Sequence, residues 1–511
     1  MLYPDRTPVV LATGQAIDRA AELTPLELAE RACRAALGHV PSTPRIVERL
    51  SLVDVLGHRA GRAPASELAT MLGLEPRVSE TTVIGGNVPQ ALVTRAAADI
   101  AAGRLSASLI AGAEAVRGTR LKPQGEVAER SSRRTRAGAE SGEPPSPERE
   151  VEPDPVVGTE RRDLSDEERA AGLAVPIFVY PLFESVLAAR AGRTAADQRA
   201  HIGTLLAPFT DVAASNPFAW FPERLTSDEI SRPAPDNRLV ADPYTKRMTA
   251  FLGSAHGSAL LVTSLEVARS LAPTVEPVFI WGGADAEEVW YPISRQDLGA
   301  APALGRALEQ LLAATGVDVD DVDLLDLYSC FPSAVQIAAA EAGVSTNDAR
   351  GLTVTGGLPY FGGPGSNYVG HSIATMVERL RASGEAALGL LNGVGWYLTK
   401  HAVGLYGSEP PPGGLSVCQA SAPDEGLPLT SEVAVATPAH VEAATAVYDR
   451  SGEATSVPLI ARLEDGTRVA AVARADEVKL AAGLLAQGRM VGSAVDVLPG
   501  RPPTFLVSDA D

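Results

Sequence analysis

The first continuous apolar run is PVVLAT at 8–13, which shows no period-2 alternation and predicts a strand buried on both faces. T-P-L-E at 24–27 is a capping box, with Thr24 placed to accept from the amide of Glu27 and Pro25 at the first helical position; a helix follows to about Leu37. SLVDVL at 51–56 reads as a second strand. A glycine-rich turn, TVIGGNVPQ, then runs into a helix, and SASLIAGAE at 106–114 is another buried strand. Residues 165–270 read mostly as helix, ending in the strand-like run of HGSALLVTSLEVARSLA.

A second block repeats that order. VEPVFIWGG (275–283) is a strand, and ALGRALEQLLAATG is an amphipathic helix with Gly316 as its C-cap. VDLLDLYSCF (322–331) is a strand running into a turn. FGGPGSNYVGHSIATMVERLR is a glycine-rich loop leading into a helix, and 385–408 is strand–turn–strand. Strands alternating with helices predict an α/β fold with a covered sheet. EPPPGG at 409–414 reads as a linker, and beyond it the pattern changes. Residues 430–508 alternate apolar and polar positions, with EDGT as a hairpin turn and VKLAAGLLAQ as a short helix. Five or so strands with one helix predict a small barrel of OB type.

Composition alters this picture in one place. Residues 117–165 are rich in Arg, Glu, Pro and Gly and predict a long excursion. Its arginines at 130, 133, 134 and 136 read either as a solvated loop or as a clamp for an anionic ligand. A length of 511 residues points to three or four domains. The net charge of −19 argues against nucleic acid and anionic membranes as partners. Three widely spaced cysteines, Cys33, Cys330 and Cys418, fit reduced thiols, and no pair has metal-site spacing. No signal-peptide layout opens the chain, and no uncharged run approaches the roughly 20 residues that span a bilayer, so a cytoplasmic protein is expected.

Over residues 1–408 the layout and several turns resemble the thiolase superfamily, and more narrowly its sterol-carrier-type relatives that carry an additional C-terminal domain. The resemblance implies two duplicated α/β halves stacked face to face, spanning 1–270 and 271–408. A loop domain is inserted at about 117–240, a linker covers 409–429, and an OB-like domain covers 430–511. It also implies an acetyl-CoA acetyltransferase homologue with CoA or an acyl-CoA as ligand and no covalently bound cofactor. Either a homodimer through the thiolase core, by the strand near SASLIAG, or a monomer is compatible with it.

Laid on the family's motifs, the reactive residues are replaced. Gly85 falls where the nucleophilic cysteine belongs, with Asn87 at the bend of the same turn. The Gly-His-Pro motif falls on Gly362-Gly363-Pro364, so the histidine is Gly363, and the late Cys-x-Gly cysteine is Asn392. His-Asp-Cys-Phe falls on Tyr328-Ser329-Cys330-Phe331. Cys330 reads as a small buried hydrophobe or as a surviving thiol. Tyr328 and Tyr360 read as core aromatics or, by analogy with cysteine-less steroid side-chain aldolases, as acid and base. His371 starts the helix after GPGSN, and His256 falls near the family's pantetheine arm; each reads as packed or as a ligand contact. Ordinary thiolysis needs an acyl-accepting thiolate, a second base and an oxyanion site, and the usual groups are missing. Three expectations follow: an acyl-CoA-binding thiolase homologue, a tyrosine-based retro-aldolase acting on a β-hydroxyacyl-CoA, or a non-catalytic scaffold that meets another protein through its OB-like domain.

Overall fold

A computed structural model describes residues 5–20, 22–38, 40, 46–54, 61–115, 152–423 and 425–507. The arginines at 130–136 lie outside the described residues. The apolar runs of the first half form β1 (Pro8–Ile17), β2 (Arg49–Leu52), β3 (Val78–Thr82), β4 (Ala107–Ala115), β5 (Val156–Val157), the short pair β6 (Leu239–Ala241) and β7 (Tyr244–Thr245), and β8 (Ala255–Ser264). The second half contributes β9 (Val278–Glu287), β10 (Leu324–Asp326), β11 (Leu388–Gly395), β12 (Lys400–Gly407) and β13 (Ser416–Ser421). Nine residues of β1 and all ten of β8 are buried, as unalternating apolar runs require.

The half-sheets run β3-β2-β4-β8-β1 and β10-β11-β12-β9, and β1 pairs antiparallel with β9 to join them. In both halves the first strand lies beside the last, β1 with β8 and β9 with β12. Helices α1 (Pro25–Gly38), α2 (Pro64–Leu72) and α3 (Val88–Ala101) belong to the first half. The intervening region holds α4 (Pro176–Arg190) and α5 (Ala195–Ser215). Helices α6 (Pro302–Thr315), α7 (Pro332–Glu341) and α8 (Tyr368–Ala382) follow. Both α3 and α8 touch strands of both half-sheets, whereas α1 lies on the first and α6 on the second. The layers are therefore α1, half-sheet, α3 with α8, half-sheet, α6. The seam buries α3 on most sides: nine of its fourteen residues are buried, including Gln90 and Thr94.

The C-terminal strands are β14 (Thr437–Ala444), β15 (Val447–Tyr448), β16 (Ala454–Ser456), β17 (Pro458–Leu463), β18 (Arg468–Ala473), β19 (Ala494–Leu498) and β20 (Thr504–Val507). A closed barrel is formed in the order β14-β17-β18-β20-β19, with helix α9 (Val478–Ala486) between β18 and β19 along the chain. This is the OB-like barrel that the alternating pattern predicted.

Three features depart from the sequence reading. The strand expected to carry a dimer contact, SASLIAG in β4, is hydrogen-bonded on one side to β2 and on the other to β8. Its backbone groups are already used, so it offers no edge. The outer strand is β3, and its free side is partly taken by β5. The segment read as linker contains β13, which runs parallel to β9 from Ser416 opposite Gly282 to Ser421 opposite Glu287. The largely helical region contributes β6 and β7, which join β15 and β16 in one four-stranded sheet.

Candidate functional site

Four loops converge at the amino end of α3. The turn at Gly85–Asn87 precedes the helix, and the Gly85 N–H donates to Ser366 Oγ of the glycine-rich loop at 3.1 Å. Tyr328, after β10, donates its backbone N–H to Asn392 Oδ1 at 2.9 Å. Asn392 stands in β11, and its Nδ2 is buried with no partner among the described residues. A side chain at Gly86 would overlap the Tyr328 hydroxyl and the Val394 carbonyl, so the phenol fills the space in front of the turn. The β11–β12 turn completes the site. There Trp396 (φ 57°) and Leu398 (φ 55°) hold left-handed conformations that non-glycine residues rarely adopt. Tyr180 donates its hydroxyl to the Trp396 carbonyl at 2.7 Å, and Arg295 donates to the Tyr397 carbonyl at 2.7 Å. Those two bonds hold a strained turn in place, as is common where function demands a fixed geometry.

That turn delivers Lys400, which the motif comparison did not single out. Its Nζ donates to the Ile84 carbonyl at 2.9 Å, and the residue is only 6% exposed. A Cβ placed on Gly85 would stand 2.5 Å from Asn87 Oδ1 and 3.1 Å from Lys400 Nζ. The position of the family's cysteine is thus enclosed by an amide oxygen and an amine. A cavity of about 580 Å³ beside them is lined by Asn87, Arg95, Asp285, Lys400 and Gln419. A second, of about 630 Å³, is lined by Ile84, Arg161, Arg162 and Trp396. Both border Thr82, Val83 and Thr159. The Asp285 carboxyl is pushed up to about 6 by burial, and its Oδ1 has no partner among the described residues.

The other candidates lie in separate settings. Burial pushes the Cys330 thiol up to about 12, so it is held protonated rather than as the reactive thiolate. Phe331 stacks on Tyr180 with ring centres 4.5 Å apart. Gly363 donates its N–H to the Phe251 carbonyl at 2.8 Å. Tyr360 is 3% exposed, and its hydroxyl is without a partner among the described residues. His256 and His371 form a buried pair with ring centres 5.4 Å apart. His256 Nε2 meets the Phe218 carbonyl, and His371 Nδ1 meets Gln15 Oε1, each at 2.8 Å. Burial lowers His256 to about 4 and His371 well below its usual value, so both rings are neutral. The His256 ring lies against Gly362, one residue before the lost histidine. Gly85, Asn87, Tyr328 and Asn392 are therefore brought together. Cys330 and Phe331 sit behind Tyr328 in the aromatic core, and the two histidines form their own cluster.

No family model matches the sequence, and no curated protein matches it either. Solved structures do. A protein described as a monomeric SCP2-thiolase-like protein type 1 (STLP1) from Mycobacterium smegmatis superposes with a TM-score of 0.80 at 29% identity, covering 99% of this chain and 100% of that one. The Ltp2-ChsH2(DUF35) aldolase gives a TM-score of 0.59 at 19% identity, over 79% of this chain and 98% of that chain. The dimeric peroxisomal thiolase of Saccharomyces cerevisiae gives 0.55 at 15% identity, again over 79% and 98%. The first match runs through the barrel as well as the layers, and the other two show the fold. By its layer order, its paired half-sheets and these likenesses, the chain is a thiolase-like member of the thiolase superfamily.

Proposed function

We propose that the chain binds CoA thioesters non-covalently, with the thioester group at the Gly85–Asn87 turn and no acyl-enzyme formed. The observation that carries this reading is the cavity of about 580 Å³ lined by Asn87 and Lys400, the two side chains that a Cβ on Gly85 would meet. Arg161 and Arg162 line the neighbouring cavity beside Asp54, Glu160 and Asp163, and Arg162 is paired with Asp166, so Arg161 is the guanidinium there left to meet a phosphate group. Gly85, Gly363 and Asn392 provide neither a thiolate nor a base, which favours binding without thiolysis. Calorimetry with CoA, acetyl-CoA, acetoacetyl-CoA and a long-chain acyl-CoA should give saturable heat, and intact-mass spectra should show no acyl adduct. An absence of both heat and thermal shift across that panel would remove the reading and leave the scaffold role.

A second reading has one specific support, the position of the Tyr328 hydroxyl against Gly86. Burial holds Tyr328 as a neutral phenol, suited to donate a hydrogen bond to a carbonyl in the retro-aldol cleavage of a β-hydroxyacyl-CoA. The likeness to the Ltp2-ChsH2(DUF35) aldolase is in keeping with it. Tyr328→Phe should abolish cleavage while leaving thioester binding intact; unchanged turnover would refute the role.

A further inference from the structure

Lysine is rare in this chain. Of 44 basic residues only Lys122, Lys246, Lys400 and Lys479 are lysines. An arginine could donate to a backbone carbonyl equally well, so a buried lysine calls for a reason beyond that one bond. Among the described residues Lys400 Nζ makes one hydrogen bond, to the Ile84 carbonyl, stands 6.0 Å from the Trp396 ring centre, and enters none of the ion pairs. The surroundings point to a reacting group. Asn87 Oδ1 is buried, lacks a partner among the described residues, and stands beside the same point as the amine. Lys400 lies opposite Glu287 and Ala402 opposite Asp285, so Lys400, Glu287 and Asp285 share one face of the sheet. Asp285 Oδ1 is likewise buried and unpartnered among the described residues, and it lines the same cavity.

We propose that Lys400 is an amine nucleophile that captures a ketone or aldehyde carbonyl in this cavity as an imine. The nitrogen lone pair attacks the carbonyl carbon and a C–N bond forms. The C=O π pair moves to oxygen, which takes the proton that the amine releases. The carbinolamine then expels that oxygen as water, using one further proton, and leaves the protonated imine. Burial lowers the Lys400 ammonium below the usual lysine range, which favours the neutral amine. Asp285 keeps a proton up to about 6 and supplies the one that departs with water. Asn87 Oδ1 is placed to accept the imine N–H. This deepens the thioester reading by giving the acyl chain a second carbonyl, though imine formation itself does not require CoA.

The test is borohydride trapping on the full chain, with acetoacetyl-CoA in one arm and acetoacetate in the other, followed by peptide mapping. Lys400 should carry the reduced adduct. Lys479, whose side chain is 86% exposed, should carry none and acts as an internal control. Lys400→Arg should lose the adduct while retaining its melting temperature; if that variant does not fold, the wild-type map alone decides. An unlabelled Lys400 in both arms, or equal labelling of Lys479, overturns the proposal. Trapping by acetoacetate without any CoA-ester binding would sink the thioester reading and keep the imine. Calorimetric binding of acetoacetyl-CoA without trapping would do the reverse.

Discussion

Gly85 and Gly86 show how differently two adjacent glycines constrain chemistry. At Gly85 a side chain would meet the ends of Asn87 and Lys400, and the lysine can move; at Gly86 it would meet the Val394 carbonyl at 2.6 Å, which cannot. Gly86→Ala should therefore cost about 1–3 kcal/mol in denaturant melts. Gly85→Cys should fold but remain inactive in an acetoacetyl-CoA thiolysis assay, since Gly363 and Asn392 still provide no base. Recovered thiolysis would show that another group serves as one. Buried acids set the pH response. Burial pushes Asp326 up to about 7 from an ordinary 3.8 and Asp285 up to about 6. The folded chain holds these protons to higher pH than the unfolded chain, so both groups favour folding at low pH and that contribution fades as pH rises from about 4 to about 7. The slope is at most about 1.4 kcal/mol per pH unit for each group. Asp326→Asn should flatten the fall in unfolding free energy across that window, and an unchanged slope would show that the carboxyl is not protonated in the fold.

Elements were more legible in the sequence than residue roles. Unalternating runs gave β1, β4, β8 and β9 because strands covered on both faces leave that signature. The capping box at Thr24 is formed, with the Glu27 N–H donating to Thr24 Oγ1 at 3.3 Å, and Gly316 takes the left-handed cap at φ 69°. Motif position singled out Gly85, Asn87, Tyr328 and Asn392, which the fold brings together. Lys400 was not singled out, because its place beside Gly85 arises from β12 crossing in front of the α3 turn, a contact 316 residues long in sequence. β13 was missed because proline and glycine precede it and its SVCQAS pattern half-exposes it beside β9. The placement of β4 corrects the expected dimer strand, and β5 on the edge of β3 leads to a prediction: sedimentation should report one species of 53.1 kDa at micromolar concentration. A concentration-dependent dimer would show that another surface assembles.

At the scale of the whole molecule, one arginine ties the barrel to the layers. Arg468 is 2% exposed, donates to the Ile293 and Arg295 carbonyls, and pairs with Glu442. Further barrel contacts come from the Ala444 N–H, which donates to Ser185 Oγ at 3.2 Å, and the Thr445 hydroxyl, which donates to the Asp242 carbonyl at 3.0 Å. Arg468→Ala should cost about 3 kcal/mol, the low end for a buried pair that loses one member, because Arg462 also pairs with Glu442. Limited proteolysis should then release the barrel before the layers unfold. The parallel seat of β13 on β9 has a practical corollary for anyone trimming this chain. Gln419, Ala420 and Ser421 form one side of the lysine's chamber, although they come after the prolines at 410–412 where a scissor would naturally be placed. A fragment ending there would flood the amine with bulk water, so the shortest piece worth purifying extends past Ser421.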